Sequence, residues 1–184
     1  NRANIIASAK DNGIEPEFLA AILLTEKLDM HPHENLTDLL GSAAANTSVG
    51  LGQVNIKTFR MLYPELTKHV SDMRIAWMLR NDKINIEATA KYIAYLRGLG
   101  YRGRGVDNLK EDYKNWTEHT RLMLAASYTA TPFTGRIMEA AKPPYAEYDK
   151  ELEPVVYGYS ALAVYRFIKA LKIKNAAGTT SLKN

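Results

Sequence analysis

Glu26 stands near the end of an apolar helical run, PEFLAAILLTEK, and a glycine-rich segment, VGLGQVN, follows at residues 49–55. The pair could do acid–base chemistry on a sugar. A carboxylate among apolar neighbours keeps its proton to higher pH, because burial disfavours the charged form. A proton held near neutrality is what protonates the leaving oxygen of a glycosidic bond. The glycines at 50 and 52 allow close backbone approach to a ligand, and Gln53 offers amide donors and an acceptor to hydroxyls.

The helix that must position Glu26 is readable. Pro16 suits the first turn, where a missing N–H costs nothing. Glu15 and Glu17 put negative charge at the positive end of the dipole. Phe18, Leu19, Ile22 and Leu23 make a broad apolar face, and Glu26 extends it at i+4 from Ile22 and i+3 from Leu23. Without further context, a solvated Glu paired with Lys or Arg is the commoner outcome.

The rest of the 184-residue chain reads as nearly all helix. Helices are expected over 2–12, 16–28, 55–62, 72–80 with Ser71 as cap, 85–98, 117–128, 133–141 and 154–173. Residues 29–54 read as irregular, with room for a small β-hairpin near 41–54. The stretch GYRGRGVDN reads as a loop, and the expected domain is 1–174 with a disordered tail over 175–184. Pro64 is expected to stop the helix before it.

Composition narrows the classes. There is no Cys, which excludes thiol catalysis and Cys-ligated zinc. The formal charge of +4 and a pI near 9.1 suit an anionic polymer such as a cell wall, and the scattered basic residues argue against nucleic acid. No apolar run reaches the length of a membrane span, and no signal peptide is visible. His31 and His33 lie at i, i+2 in a loop and lack the helical spacing of hydrolytic zinc sites, so no metal or other cofactor is expected.

Four blocks occur in an order that resembles the lysozyme-like superfamily, in its lytic transglycosylase and goose-type lysozyme branch. They are NGIEPEFLAAILLTEK, Gly50-Leu51-Gly52-Gln53-Val54, the stretch from Asn85 to Leu96, and Ala125-Ala126-Ser127-Tyr128-Thr129-Ala130-Thr131-Pro132. The resemblance covers roughly residues 4–135 and implies an all-α domain, α+β at most. It implies cleavage of the β-1,4 bond between N-acetylmuramic acid and N-acetylglucosamine, with Glu26 as general acid. Gly50, Leu51, Gln53, Asn55 and Tyr128 would line the substrate cleft. The chain would act in the periplasm or on the cell wall as an antibacterial effector or phage lytic domain, secreted or carried within a larger protein. It would be a monomer on glycan strands, with a cognate immunity or inhibitor protein as possible partner.

The departures concern subtype. The family's Ser after the Glu is Lys27 here, the Met of its GLMQ is Gly52, and the Asn and Gly of its YNxGP are Thr129 and Thr131. Twenty-seven positions separate Glu26 from Gln53, a longer insert than typical transglycosylases have, and it carries Asp29, Glu34 and Asp38. An inverting hydrolase needs a second carboxylate across a water, and Asp38, mid-loop before Gly41, is the first choice. Both Asp29 and Asp38 could equally cap or solvate the loop. Where goose-type lysozymes have an Asp after GLMQV this chain has Asn55, which could hold a water or cap the next helix. The alternatives left open are a lytic transglycosylase giving 1,6-anhydro products and a catalytically silent wall-binding module.

Overall fold

In the computed structural model, residues 1–29, 48–102, 113–129 and 153–180 are described. Helix α1 (Arg2–Asp11) ends at Asn12 and Gly13, whose N–H groups donate to Ser8 O and Lys10 O; Gly13 takes the left-handed φ of +63° that suits glycine. Helix α2 (Pro16–Asp29) buries Phe18, Leu19, Ala21, Ile22, Leu23, Thr25 and Glu26, the face its periodicity implied. The hairpin is two short antiparallel strands, β1 (Ser48–Val49) and β2 (Val54–Asn55), with Ser48 opposite Asn55 and Val49 opposite Val54.

Asn55 caps α3 (Ile56–Leu62) by accepting from Lys57 N at 2.8 Å. Pro64 does stop α3, but it also opens one more turn, α4 (Pro64–Thr67), because its fixed φ fits a first helical position. Ser71 caps α5 (Asp72–Leu79) through Arg74 N. Helix α6 (Asp82–Arg102) is longer than the expected 85–98. Asn81 accepts from Lys83 N and Ile84 N and starts it early. It then runs through Gly98 and Gly100, each internal glycine costing only about 1 kcal/mol relative to Ala. The first residues of the expected GYRGRGVDN loop are therefore helical.

A 3₁₀ turn (Tyr113–Asn115) precedes α7 (Glu118–Thr129), which is buried almost continuously from Thr120 to Tyr128 and is the central helix. Thr117 opens it by accepting from Thr120 N. The expected helix 133–141 lies outside the described residues. Helix α8 (Glu153–Thr180) runs beyond the expected end at 173, into the stretch read as a tail.

Among the described residues two apolar clusters result. The larger joins α1, α2, α6, α7 and α8 around Phe18, Leu19, Ile22, Ile93, Leu96 and Leu124. The smaller joins the hairpin, α3, α5 and α6 around Val49, Val54, Phe59, Ile75 and Leu79. Helix α6 serves both, with Ile86 and Ala90 in one and Ala88 in the other.

Glu15 fastens the large cluster at the N-terminal end of α2. It is 5% exposed and accepts from Arg121 Nη2 at 2.7 Å, Tyr165 Oη at 2.9 Å and Lys169 Nζ at 3.1 Å. Sequence reasoning gave it only a dipole role; its structural work is to tie α2 to α7 and α8. Gly158 lets α8 approach α7 closely, since a Cβ there would lie 2.8 Å from Leu122 O.

Candidate active site

The last turn of α2 carries Glu26 into the large cluster, where it is 9% exposed. Burial pushes its pKa up to about 7. The Tyr157 hydroxyl pulls it back down, and the negative charge of Asp29, exposed one turn further along α2, adds a smaller upward push. Lys27 is exposed and lies off this face. The commoner outcome for a Glu, a solvated ion pair, is thus not what the fold makes of Glu26.

Two tyrosines close the space around the acid. Tyr128, from α7, donates to Gly52 O at 2.5 Å and packs its ring 5.2 Å from that of Tyr92. Tyr157, from α8, is 8% exposed, and its hydroxyl faces Glu26 without closing a hydrogen bond of ordinary geometry. Both hydroxyls are held well above the usual tyrosine pKa by burial first and by the Glu26 charge second. They remain neutral O–H groups at any working pH.

The glycine-rich turn is built against α6. Gly50 sits at φ +81° and Gln53 at φ 46°. Gln53 N and its Nε2 both donate to Gly50 O, at 3.1 and 3.0 Å. Asn85, fully buried, holds the turn from behind: its Nδ2 donates to Val49 O at 2.7 Å and Leu79 O at 3.0 Å, and its Oδ1 accepts from Gly52 N at 2.6 Å. A Cβ on Gly52 would stand 2.0 Å from Thr89 Oγ1. That contact explains why glycine occupies the position at which the lysozyme-like motif has Met.

The structure therefore brings Glu26, Gly50, Leu51, Gln53 and Tyr128 to one region. Leu51 packs against the large cluster, and the side-chain space that Gly50 and Gly52 leave empty is filled by Asn85, Leu79 and Thr89. Asn55 ends the hairpin as the cap of α3. Asp38, with His31, His33 and Glu34, lies outside the described residues. Among the described residues no cluster of His, Cys, Asp and Glu could hold a metal ion, and no helix is long and apolar enough to cross a membrane.

Three residues of this region escaped sequence reasoning as site members. Asn85 and Thr89 were visible as polar positions on the inner face of an amphipathic helix; Asn85 meets that signal with three hydrogen bonds, whereas Thr89 Oγ1 fills the space beside Gly52. Tyr157 gave only a weaker sign, as one of several tyrosines near a proline-rich stretch.

Comparison with known proteins meets this geometry. The family model for the T6SS peptidoglycan muramidase Tse3 catalytic domain matches residues 1–97, which include Glu26, the glycine turn, Asn85 and Thr89. The peptidoglycan muramidase Tse3 of Pseudomonas aeruginosa strain PAO1 is 28% identical, over 72% of this chain and 39% of the relative. The chain thus spans about two fifths of the length of the curated relative it matches. On the family match, the chain belongs to the Tse3 peptidoglycan muramidase catalytic-domain family.

Proposed function

We propose that this chain is the muramidase domain of an antibacterial effector and cleaves the β-1,4 bond between N-acetylmuramic acid and N-acetylglucosamine in periplasmic peptidoglycan. The observation that carries the reading is Glu26, a carboxyl buried beside the glycine turn with its pKa raised to about 7. At neutral pH a large share of the molecules hold the proton that the leaving oxygen needs. The T6SS description of the family favours an effector over a phage lysin. A proton held in place also disfavours the catalytically silent module.

In this reading Glu26 delivers its proton to the glycosidic oxygen as the sugar carbon gains oxocarbenium character. Tyr128 holds the turn through Gly52 O, so the backbone facing the sugar does not drift. Tyr157 steadies the Glu26 carboxyl and keeps it from retaining its proton too firmly. Gln53, Leu51, Gly50 and Asn55 line the approach. Asp38 is the proposed base that draws a proton from the attacking water. The domain acts as a monomer, and an immunity protein that plugs this cleft is the natural partner in the producing cell.

The test is digestion of purified sacculi followed by mass spectrometry of the products. Normal reducing ends, lost with Glu26→Gln and strongly reduced with Asp38→Asn, are expected. Dominant 1,6-anhydro ends would instead assign a lytic transglycosylase and remove the base role of Asp38. Intact sacculi after exposure to the wild-type protein would refute the proposal.

A further inference from the structure

Helix α5 turns Ile75, Ala76 and Leu79 into the small cluster. Its outer face is unlike an ordinary charged surface. Met73 is 58% exposed and Trp77, one turn later, 55%. The Arg80 guanidinium lies over the Trp77 ring, 5.3 Å from its centroid. Arg74 is exposed beside them. The acid of this helix, Asp72, is occupied by Arg60, with Nη2 to Oδ1 at 2.5 Å. Among the described residues these two arginines have no carboxylate partner, and a broad indole is left in water.

We propose that Trp77, flanked by Met73, Arg74 and Arg80, is a second glycan-binding platform that holds a peptidoglycan strand away from the catalytic acid. The proposal rests on the muramidase reading for its substrate class. Three physical points favour it. An indole face is electron-rich and attracts the polarised C–H groups on the flat face of a pyranose ring. Arg80 restrains the ring, so less rotamer freedom is lost when a sugar docks. The stem peptides of peptidoglycan carry carboxylates, which complement Arg74 and Arg80.

An anionic lipid surface fits less well. Helix α5 is eight residues long and its aliphatic face already lies in the core, so Met73 and Trp77 are the large apolar side chains it has to insert. The platform also shares its lobe with the glycine turn. Leu79 O, at the end of α5, accepts from the same Asn85 that holds Gly52 N. One strand gripped at both places would keep the enzyme on its polymer between cuts.

The experiment uses the full chain with Glu26→Gln, so that sacculi are bound and not digested. Co-sedimentation with purified sacculi is compared with and without Trp77→Ala, Trp77→Tyr and Arg74→Glu/Arg80→Glu. Loss of the ring should weaken binding by roughly two- to tenfold, the range of one aromatic contact. Tyr should restore most of the binding, and added salt should weaken the parent more than the double Glu variant. Trp77→Ala alone, with Glu26 intact, should cleave a soluble muropeptide tetrasaccharide at the parent rate while digesting sacculi more slowly. Equal sedimentation of Trp77→Ala and its parent overturns the proposal. So does Trp77-dependent binding to phosphatidylglycerol vesicles with none to sacculi, or Trp77-dependent self-association in sedimentation velocity. Should the wild type leave sacculi intact while Trp77 still governs their binding, the platform stands and the catalytic reading falls.

Discussion

Replacing Glu26 by Gln removes one ionisable proton and almost no volume, so it isolates the electrostatic state of the acid. The folded pKa is about 7, against an ordinary carboxyl value of 4.5. A raised folded pKa means that the protonated carboxyl's share of stability is fully present below about pH 4.5. It is lost as pH rises through about 7, because the buried group must then ionise. The difference of 2.5 units corresponds to about 3 kcal/mol at full ionisation, at 1.36 kcal/mol per unit. Gln is neutral throughout and escapes the loss. The variant should therefore match the wild type near pH 4 and exceed it by up to about 3 kcal/mol near pH 8. In a chain of this size that is a gain of roughly 6–12 °C in Tm. Thermal melts at both pH values check it. A variant no more stable than wild type near pH 8 would show that Glu26 is solvated or ion-paired, and the proton-holding argument for catalysis would go with it.

The remaining predictions concern the groups around the acid and the frame behind it. Asp29→Asn should lower the alkaline limb of kcat/KM, because the Asp29 charge pushes the Glu26 pKa up; Tyr157→Phe should raise that limb, because the hydroxyl pulls the pKa down. Limbs moving in the same direction would sink this account of the site. Asn85→Ala strands Gly52 N, Val49 O and Leu79 O, and should cost about 3 kcal/mol or more by chemical denaturation together with most of the activity. Glu15→Ala leaves Arg121 buried without its carboxylate and should cost about 3–5 kcal/mol, far more than loss of the exposed Glu118–Arg166 pair.

Much of the local structure could be read from the chain because its causes are local. Glu26 shares a helix face with Ile22 and Leu23, so its burial follows from spacing. Ser71 and Asn55 declare themselves as caps through side chains that reach two or three residues ahead. The hairpin was legible in outline from the irregular, glycine-rich stretch that holds it, and the Tyr128 block from the resemblance. The rest depends on distant contacts. Tyr157 reaches Glu26 only because Gly158 lets α8 lie against α7, and nothing near residue 26 announces that. Glu15 looked like a dipole residue because Arg121, Tyr165 and Lys169, more than a hundred positions on, carry no local sign of meeting it. Helix α6 outran its expected end because burial at positions such as Ile93 and Leu96 outweighs two glycines, Gly98 and Gly100.

The place of α8 also bears on when the acid comes into being during biosynthesis. Glu26 precedes Tyr157 by 131 positions, so the acid, the glycine turn and α6 have all left the ribosome before the helix that seals them. A nascent chain lacking α8 presents Glu26 to water, where a carboxyl loses its proton well below neutrality. The raised pKa of Glu26 thus follows the docking of α8 and does not precede it. A molecule in which α8 has not docked carries a Glu26 carboxyl that has already given up its proton at neutral pH. The capacity to hold a proton near neutrality is acquired as α8 packs against α2 and α7.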